Sequence, residues 1–272
     1  MSVHHLRARA ACIALGLSAL FVVACDGSGM PTYVPRDAAL VHEPLYFYPQ
    51  SDTARPPRAF VFFYGNDIAF WEPHRKLAVW LARDGFAVVG IDVRKYLDRF
   101  PTTIGVRDTA FLSQITPLIA RSRHELHADS VPLVLAGHSF GAELAIWQAF
   151  HDPPAGLVGI LAMNPRPAGH LIVTPEDWLG KIADGPGSFS TVDLMRQLSP
   201  DIRVALVRGQ RDQYAQYDSE FVLAGGTHLK HFVVPFAGHT LKQIVLAAPI
   251  VHGAMGWLVE ERPVMAGAGG HP

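Results

Sequence analysis

Residues 131–147, V-P-L-V-L-A-G-H-S-F-G-A-E-L-A-I-W, restrict the fold more than any other stretch of the chain. The apolar run 133–136 reads as a buried strand, and 142–150 as a helix. Between them lies Gly137-His138-Ser139-Phe140-Gly141, a G-x-S-x-G turn. A strand-to-helix turn this tight needs residues without side chains two places before and two places after the serine. It lifts the Ser139 hydroxyl above the sheet edge. It also aims the Phe140 N–H, at the positive start of the helix, toward the point where an oxyanion would form. A strand feeding a helix in this way belongs to a layered α/β architecture.

The rest of the chain repeats that alternation. Residues 45–48 read as a first edge strand, 59–64 (A-F-V-F-F-Y) as a continuous apolar central strand, and 86–91 as the next parallel strand. A helix between them opens at Glu72-Pro73 with Leu77, Trp80 and Leu81 on its apolar face. Residues 92–101 read as a loop, and 106–126 as a long helix kinked or divided at Pro117. Further strands are expected at 157–163, 203–207 and 231–234, with one or two closing helices over 240–259, interrupted near Pro249. Residues 164–200, rich in Pro and Gly, read as a lid-like insertion over the top edge. The pattern predicts a mostly parallel, doubly wound sheet.

A serine hydroxyl becomes a nucleophile only with a base in reach, and the base needs a carboxylate to fix its tautomer. On the α/β-hydrolase fold these groups follow in the order Ser, Asp or Glu, His, each on a loop after a strand. The chain supplies Ser139, then Asp212 in the G-x-x-D turn after strand 203–207, then His239 after the last strand. The roles are nucleophile for Ser139, general base and then acid for His239, and orienter for Asp212. Asp218 is the alternative to Asp212. His138 is read as a wall or packing residue, with its side chain turned away. The oxyanion hole needs two N–H donors, expected from Phe140 and, in the loop after strand 59–64, from Asn66.

Composition sets the remaining limits. The 272 residues suffice for one large domain, and a formal charge of −1 with no basic stripe makes nucleic acid an unexpected partner. Residues 1–24 carry a basic start and an apolar run too short to span a bilayer, which reads as a signal peptide. Val22-Val23-Ala24-Cys25 resembles a bacterial lipobox, with Cys25 the lipidated residue. The only other cysteine is Cys12, so no disulfide, thiol nucleophile or Cys metal site is expected in the exported form. No H-E-x-x-H spacing occurs, and neither metal nor cofactor is expected. Residues 25–58 read as a tether with a possible edge strand, 59–262 as the hydrolase domain, and 263–272 as a flexible tail.

Several segments together resemble the VirJ/AcvB family of exported bacterial serine hydrolases. They are G-F-A-V-V-G-I-D at 85–92 with Tyr96 beyond, Ser139-Phe140-Gly141-Ala142, Trp178-Leu179-Gly180, the turn to Asp212, and Phe236-Ala237-Gly238-His239. The resemblance implies cleavage of the aminoacyl ester of aminoacyl-phosphatidylglycerol, such as the lysyl or alanyl lipid. It implies a lipid-anchored periplasmic protein, and Asp26 after Cys25 resembles an inner-membrane retention signal. Tyr96 and Trp178 would then meet substrate, and Asp67 or Glu143 would attract its ammonium group. Two other readings stay open: a different periplasmic esterase, lipase or thioesterase, and a non-catalytic secretion or virulence accessory protein.

Overall fold

The computed structural model describes residues 33–260; the signal-peptide, Cys25 and 263–272 tail expectations lie outside them. In chain order the elements are β1 (Leu45–Tyr48), β2 (Phe60–Tyr64), α1 (Glu72–Arg83), β3 (Ala87–Ile91), α2 (Val93–Leu97) and α3 (Val106–Glu125). Then come β4 (Leu133–His138), α4 (Phe140–His151), β5 (Leu157–Met163), β6 (Ala168–Gly169), α5 (Pro175–Trp178), β7 (Phe189–Ser190) and α6 (Thr191–Gln197). The chain closes with β8 (Arg203–Gly209), α7 (Asp218–Gly225), β9 (Leu229–Val234) and α8 (Ile244–Val259). The main sheet has the order β1-β3-β2-β4-β5-β8-β9, and all its pairings are parallel except β1 with β3. β6 and β7 form a separate antiparallel pair inside the 164–200 insertion.

The apolar runs are continuous because both sheet faces are covered. Alternate residues of β2 and β4 serve opposite cores: Phe60, Phe62, Leu133 and Leu135 face α3, α4, α6 and α7, while Val61, Phe63, Val134 and Ala136 face α1 and α8. The order of the strands puts β4 at the centre, so Ser139 rises from the middle of the C-terminal edge.

Three local expectations change. Residues 93–97 form a helix rather than a loop, because the Asp92 carboxylate caps it by accepting from the Lys95 N–H at 3.2 Å. α3 and α8 run undivided through Pro117 and Pro249. Tertiary packing outweighs the one backbone hydrogen bond that each proline removes. The segment read as a tether is docked from Tyr33 onward. Glu125 accepts from the Tyr33 hydroxyl at 2.6 Å and from the Arg36 and Asp37 amides, and Leu40 is fully buried.

Candidate active site

The elbow has the geometry its glycines imply. Ser139 sits at φ 54°, ψ −123°, a conformation that costs a non-glycine residue on the order of 1–3 kcal/mol. A Cβ on Gly137 would lie 2.1 Å from the Gly141 carbonyl oxygen, and one on Gly141 would lie 2.1 Å from that of Gly65. The start of α4 therefore packs directly on the loop after β2. The residue after Phe140 thus touches the residue before Asn66. The Asn66 side-chain oxygen turns back to accept from the Ile68 and Ala69 amides, each at 3.3 Å, which shapes that loop.

Ser139 Oγ is 2.8 Å from His239 Nε2, and His239 Nδ1 is 3.1 and 3.2 Å from the two Asp212 carboxylate oxygens. The three residues named from chain order meet in that order in space. Asp212 is buried. Burial works against its charge, but the bond from His239, the Arg208 guanidinium and the Tyr214 N–H outweigh burial and hold its pKa below the usual carboxylate range. It therefore stays ionised and can fix the imidazole tautomer. Asp218, the alternative orienter, stands behind it and accepts from Arg208 Nε at 2.8 Å.

Several contributors are not visible in the sequence pattern. Arg208, at the end of β8, bridges Asp212 (2.7 Å), Asp218 and the Pro165 carbonyl (2.9 Å). Asn164, just after β5, receives the Gly209 N–H and donates to the carbonyls of Gly238 (3.1 Å) and His239 (2.5 Å). The signal in the sequence is a polar residue ending an otherwise apolar strand run. His138 does not turn away from the site: it lines the cavity, and its Nε2 donates to the His239 carbonyl at 2.7 Å.

Above the serine lies a cavity of about 510 Å³. Asn66, Asp67, Ser139 and His239 line it, as do Trp178 and Leu179 from the 164–200 insertion. Trp178 is half exposed, with the Arg94 guanidinium 5.0 Å above its ring. Asp67 faces this cavity almost fully buried. Burial, reinforced by Asp177 and Glu143, raises its pKa, against its own backbone N–H and Arg166.

Two expected substrate contacts are corrected. Glu143 does not face the cavity: it is fully buried and holds Arg166 through two bonds, 2.7 and 2.9 Å, so its charge is already answered. Arg166 also donates to Asp177 at 2.6 Å. Burial opposes its charge, but the two carboxylates outweigh burial and keep it protonated. Tyr96 is buried in the core among Phe100 and Phe111 rather than at the cavity, because the 93–97 helix turns its ring inward. Among the described residues no group of His, Cys, Asp and Glu is arranged to hold a metal ion. No helix among them is long and apolar enough to cross a membrane.

Comparison with solved structures places the fold. MenH from S. aureus superposes with a TM-score of 0.58 at 10% identity, covering 79% of this chain and 99% of that one. Thermogutta terrifontis esterase 2, phosphorylated by paraoxon, gives 0.56 at 17% identity over 79% and 87%. A soluble variant of monoglyceride lipase from Saccharomyces cerevisiae gives 0.55 at 13% over 79% and 90%. At these identities the likeness establishes the α/β-hydrolase fold. No curated protein matches the sequence. The family model described as bacterial virulence protein (VirJ) matches residues 58–245, and the chain belongs to that family.

Proposed function

We propose that the protein is an exported serine esterase that hydrolyses the aminoacyl ester of aminoacyl-phosphatidylglycerol. The observation that carries the hydrolase reading is the unbroken contact path from Ser139 Oγ through the His239 ring to the buried Asp212, opening into a cavity.

In this reaction His239 Nε2 takes the Ser139 proton as Oγ attacks the ester carbonyl carbon. The oxyanion of the tetrahedral intermediate is held by the Phe140 and Asn66 backbone N–H groups. His239 returns the proton to the departing glycerol oxygen as the C–O bond breaks, leaving the aminoacyl group on Ser139. Water then attacks that ester, with His239 again taking the proton, and the free amino acid leaves as Ser139 recovers its own.

The cavity supports an aminoacyl substrate in two ways. Asp67 brings a buried carboxylate that no described side chain answers directly, suited to an α- or ε-ammonium. Ile68, Trp178 and Leu179 give the mouth an exposed apolar rim, suited to a lipid. A lipidated Cys25 would keep the protein at the periplasmic face of the inner membrane, where that lipid lies.

The test is release of the amino acid from lysyl- and alanyl-phosphatidylglycerol by wild type and Ser139→Ala. Release by wild type alone is expected. Hydrolysis of simple esters without release from either lipid would leave an esterase of another substrate class. Inactivity toward both would point to an accessory role. Asp67→Asn is expected to raise KM for the lysyl lipid about tenfold, the scale of one charge-assisted contact, while a neutral ester is unaffected. An equal effect on both substrates would remove Asp67 from ammonium recognition.

A further inference from the structure

His74 and His138 are both buried, 3% and 2% exposed, and the hydrolytic steps use neither. Their hydrogen bonds have only one consistent assignment. A carbonyl oxygen only accepts, so His138 Nε2 carries the proton that goes to the His239 carbonyl (2.7 Å). In a neutral ring His138 Nδ1 then accepts, and the proton between the rings belongs to His74 Nε2, 2.9 Å away. His74 Nδ1 is left as an acceptor, and it faces the Trp71 N–H at 3.3 Å. Three donors thus point the same way, from the end of the loop carrying Asn66 to the main chain of the proposed base.

We propose that His138 is a positioning residue: with His74 it forms a neutral two-imidazole strut that fixes the main chain of His239 and so the aim of its ring at Ser139. The claim rests on the serine hydrolase reading for its catalytic meaning, but the geometry stands by itself.

The segment around His239 needs such a support. Phe236 and Leu241, on either side of it, have φ of 60° and 46°, in the left-handed region that non-glycine residues occupy at a cost. Strain of this kind persists only where the surroundings fix the backbone more than once. Phe236 donates its N–H to Gln210 and Ala237 accepts from the Arg211 N–H, while the His138 and Asn164 donors converge on the carbonyl of His239 itself.

The enclosure of the pair keeps it uncharged. Phe63, Phe70 and Trp71 surround the His74 ring. The titratable groups facing His138 are His74 from α1, His239 from the loop after β9 and Asp212 from the turn after β8. Burial, then the proximity of His239, bring the His138 pKa down to about 4, against the bond to the His239 carbonyl and the Asp212 charge. A proton added at His138 Nδ1 would set two N–H groups against each other across the 2.9 Å gap and break the strut.

The experiment compares the full chain with His138→Leu and His138→Gln, following fluorophosphonate labelling of Ser139 against pH and amide hydrogen exchange of the peptide around residues 236–241. Leu removes the donor. Gln can return one near the Nε2 position without titrating. His138→Leu, with a wild-type circular dichroism spectrum, is expected to label about 10–100-fold more slowly at pH 7.5, the scale of a small misalignment of a catalytic group. Its 236–241 amides should exchange faster. His138→Gln is expected to recover at least tenfold over Leu. As pH falls through 5 to below 4, its rate should fall less steeply than that of wild type, because Gln does not take up the proton that His138 does.

A folded His138→Leu that labels and exchanges as wild type would overturn the strut, as would a Gln variant no better than Leu. If Leu fails to fold, the pH slope of the Gln variant decides, and an unchanged slope refutes the claim. If wild type itself does not label, the serine hydrolase reading fails instead. The exchange comparison then decides the strut without catalysis, and unchanged exchange in a folded His138→Leu overturns it.

Discussion

Asp212 shows how much a single residue depends on partners that chain order does not reveal. Arg208 is fully buried and holds Asp212 and Asp218 at once. Removing one partner of a buried ion pair leaves a charge uncompensated, so Arg208→Met is expected to cost about 3–5 kcal/mol in urea unfolding. A loss below about 1 kcal/mol would mean the carboxylates are balanced by other means. His138 makes an acid-side prediction. Its folded pKa, about 4, lies below the value near 6.5 of an unfolded histidine, so between these limits the unfolded chain binds the extra proton. Stability is therefore full above about pH 6.5 and declines as pH falls toward 4, by roughly 3 kcal/mol from this residue. His138→Gln should flatten that slope in unfolding titrations, and an unchanged slope would assign the loss to other groups. The triad was legible because Ser139, Asp212 and His239 each follow an apolar run. Asn164 and His74 were not, because their partners are set by tertiary approach, and Arg208 was not, because an arginine in an apolar strand gives no sign of turning inward onto Asp212, four residues on. Glu143 misled for the same reason: a carboxylate near the serine in sequence is answered by Arg166, 23 residues later.

Among the elements, the elbow is the most tightly specified. Gly141→Ala would place a methyl 2.1 Å from the Gly65 oxygen and 2.5 Å from that of Tyr64, so α4 must lift from the loop after β2. The expected result is insoluble protein, or folded protein with labelling of Ser139 reduced at least 100-fold; a soluble variant that labels normally would contradict the close packing. The 164–200 insertion is held to the rest of the domain at separate points. The Tyr214 hydroxyl donates to the Gly180 carbonyl at 2.5 Å, and Arg166 bonds Glu143 of α4 at 2.7 and 2.9 Å. Tyr214→Phe releases the first tie and is expected to raise KM severalfold with kcat nearly unchanged, since it acts on the cavity wall and not on the reacting atoms. A fall in kcat at constant KM would place Tyr214 in the chemistry instead. Element positions followed from periodicity and breakers. The misses include the unread helices at 191–197 and 218–225, the helix at 93–97, where one Asp92 cap decides, and Pro117 and Pro249, which do not divide their helices.

On the scale of the whole molecule, the strand order places three loop ends from β4, β8 and β9 on one edge of a doubly covered sheet, and the cavity opens there. That arrangement was readable from the alternation of apolar runs and helices. The docking of residues 33–44 was not, since a short stretch with prolines at 35 and 44 looks alike whether it hangs free or is pinned by Glu125. The central claim is that these loops assemble a nucleophile at Ser139. The most direct measurement is to treat the protein with a fluorophosphonate and map the adduct by mass spectrometry. A single stoichiometric adduct on Ser139 is expected, lost in Ser139→Ala and slowed at least 100-fold in His239→Ala. Absence of an adduct on correctly folded wild type, or an adduct on another residue, would contradict it.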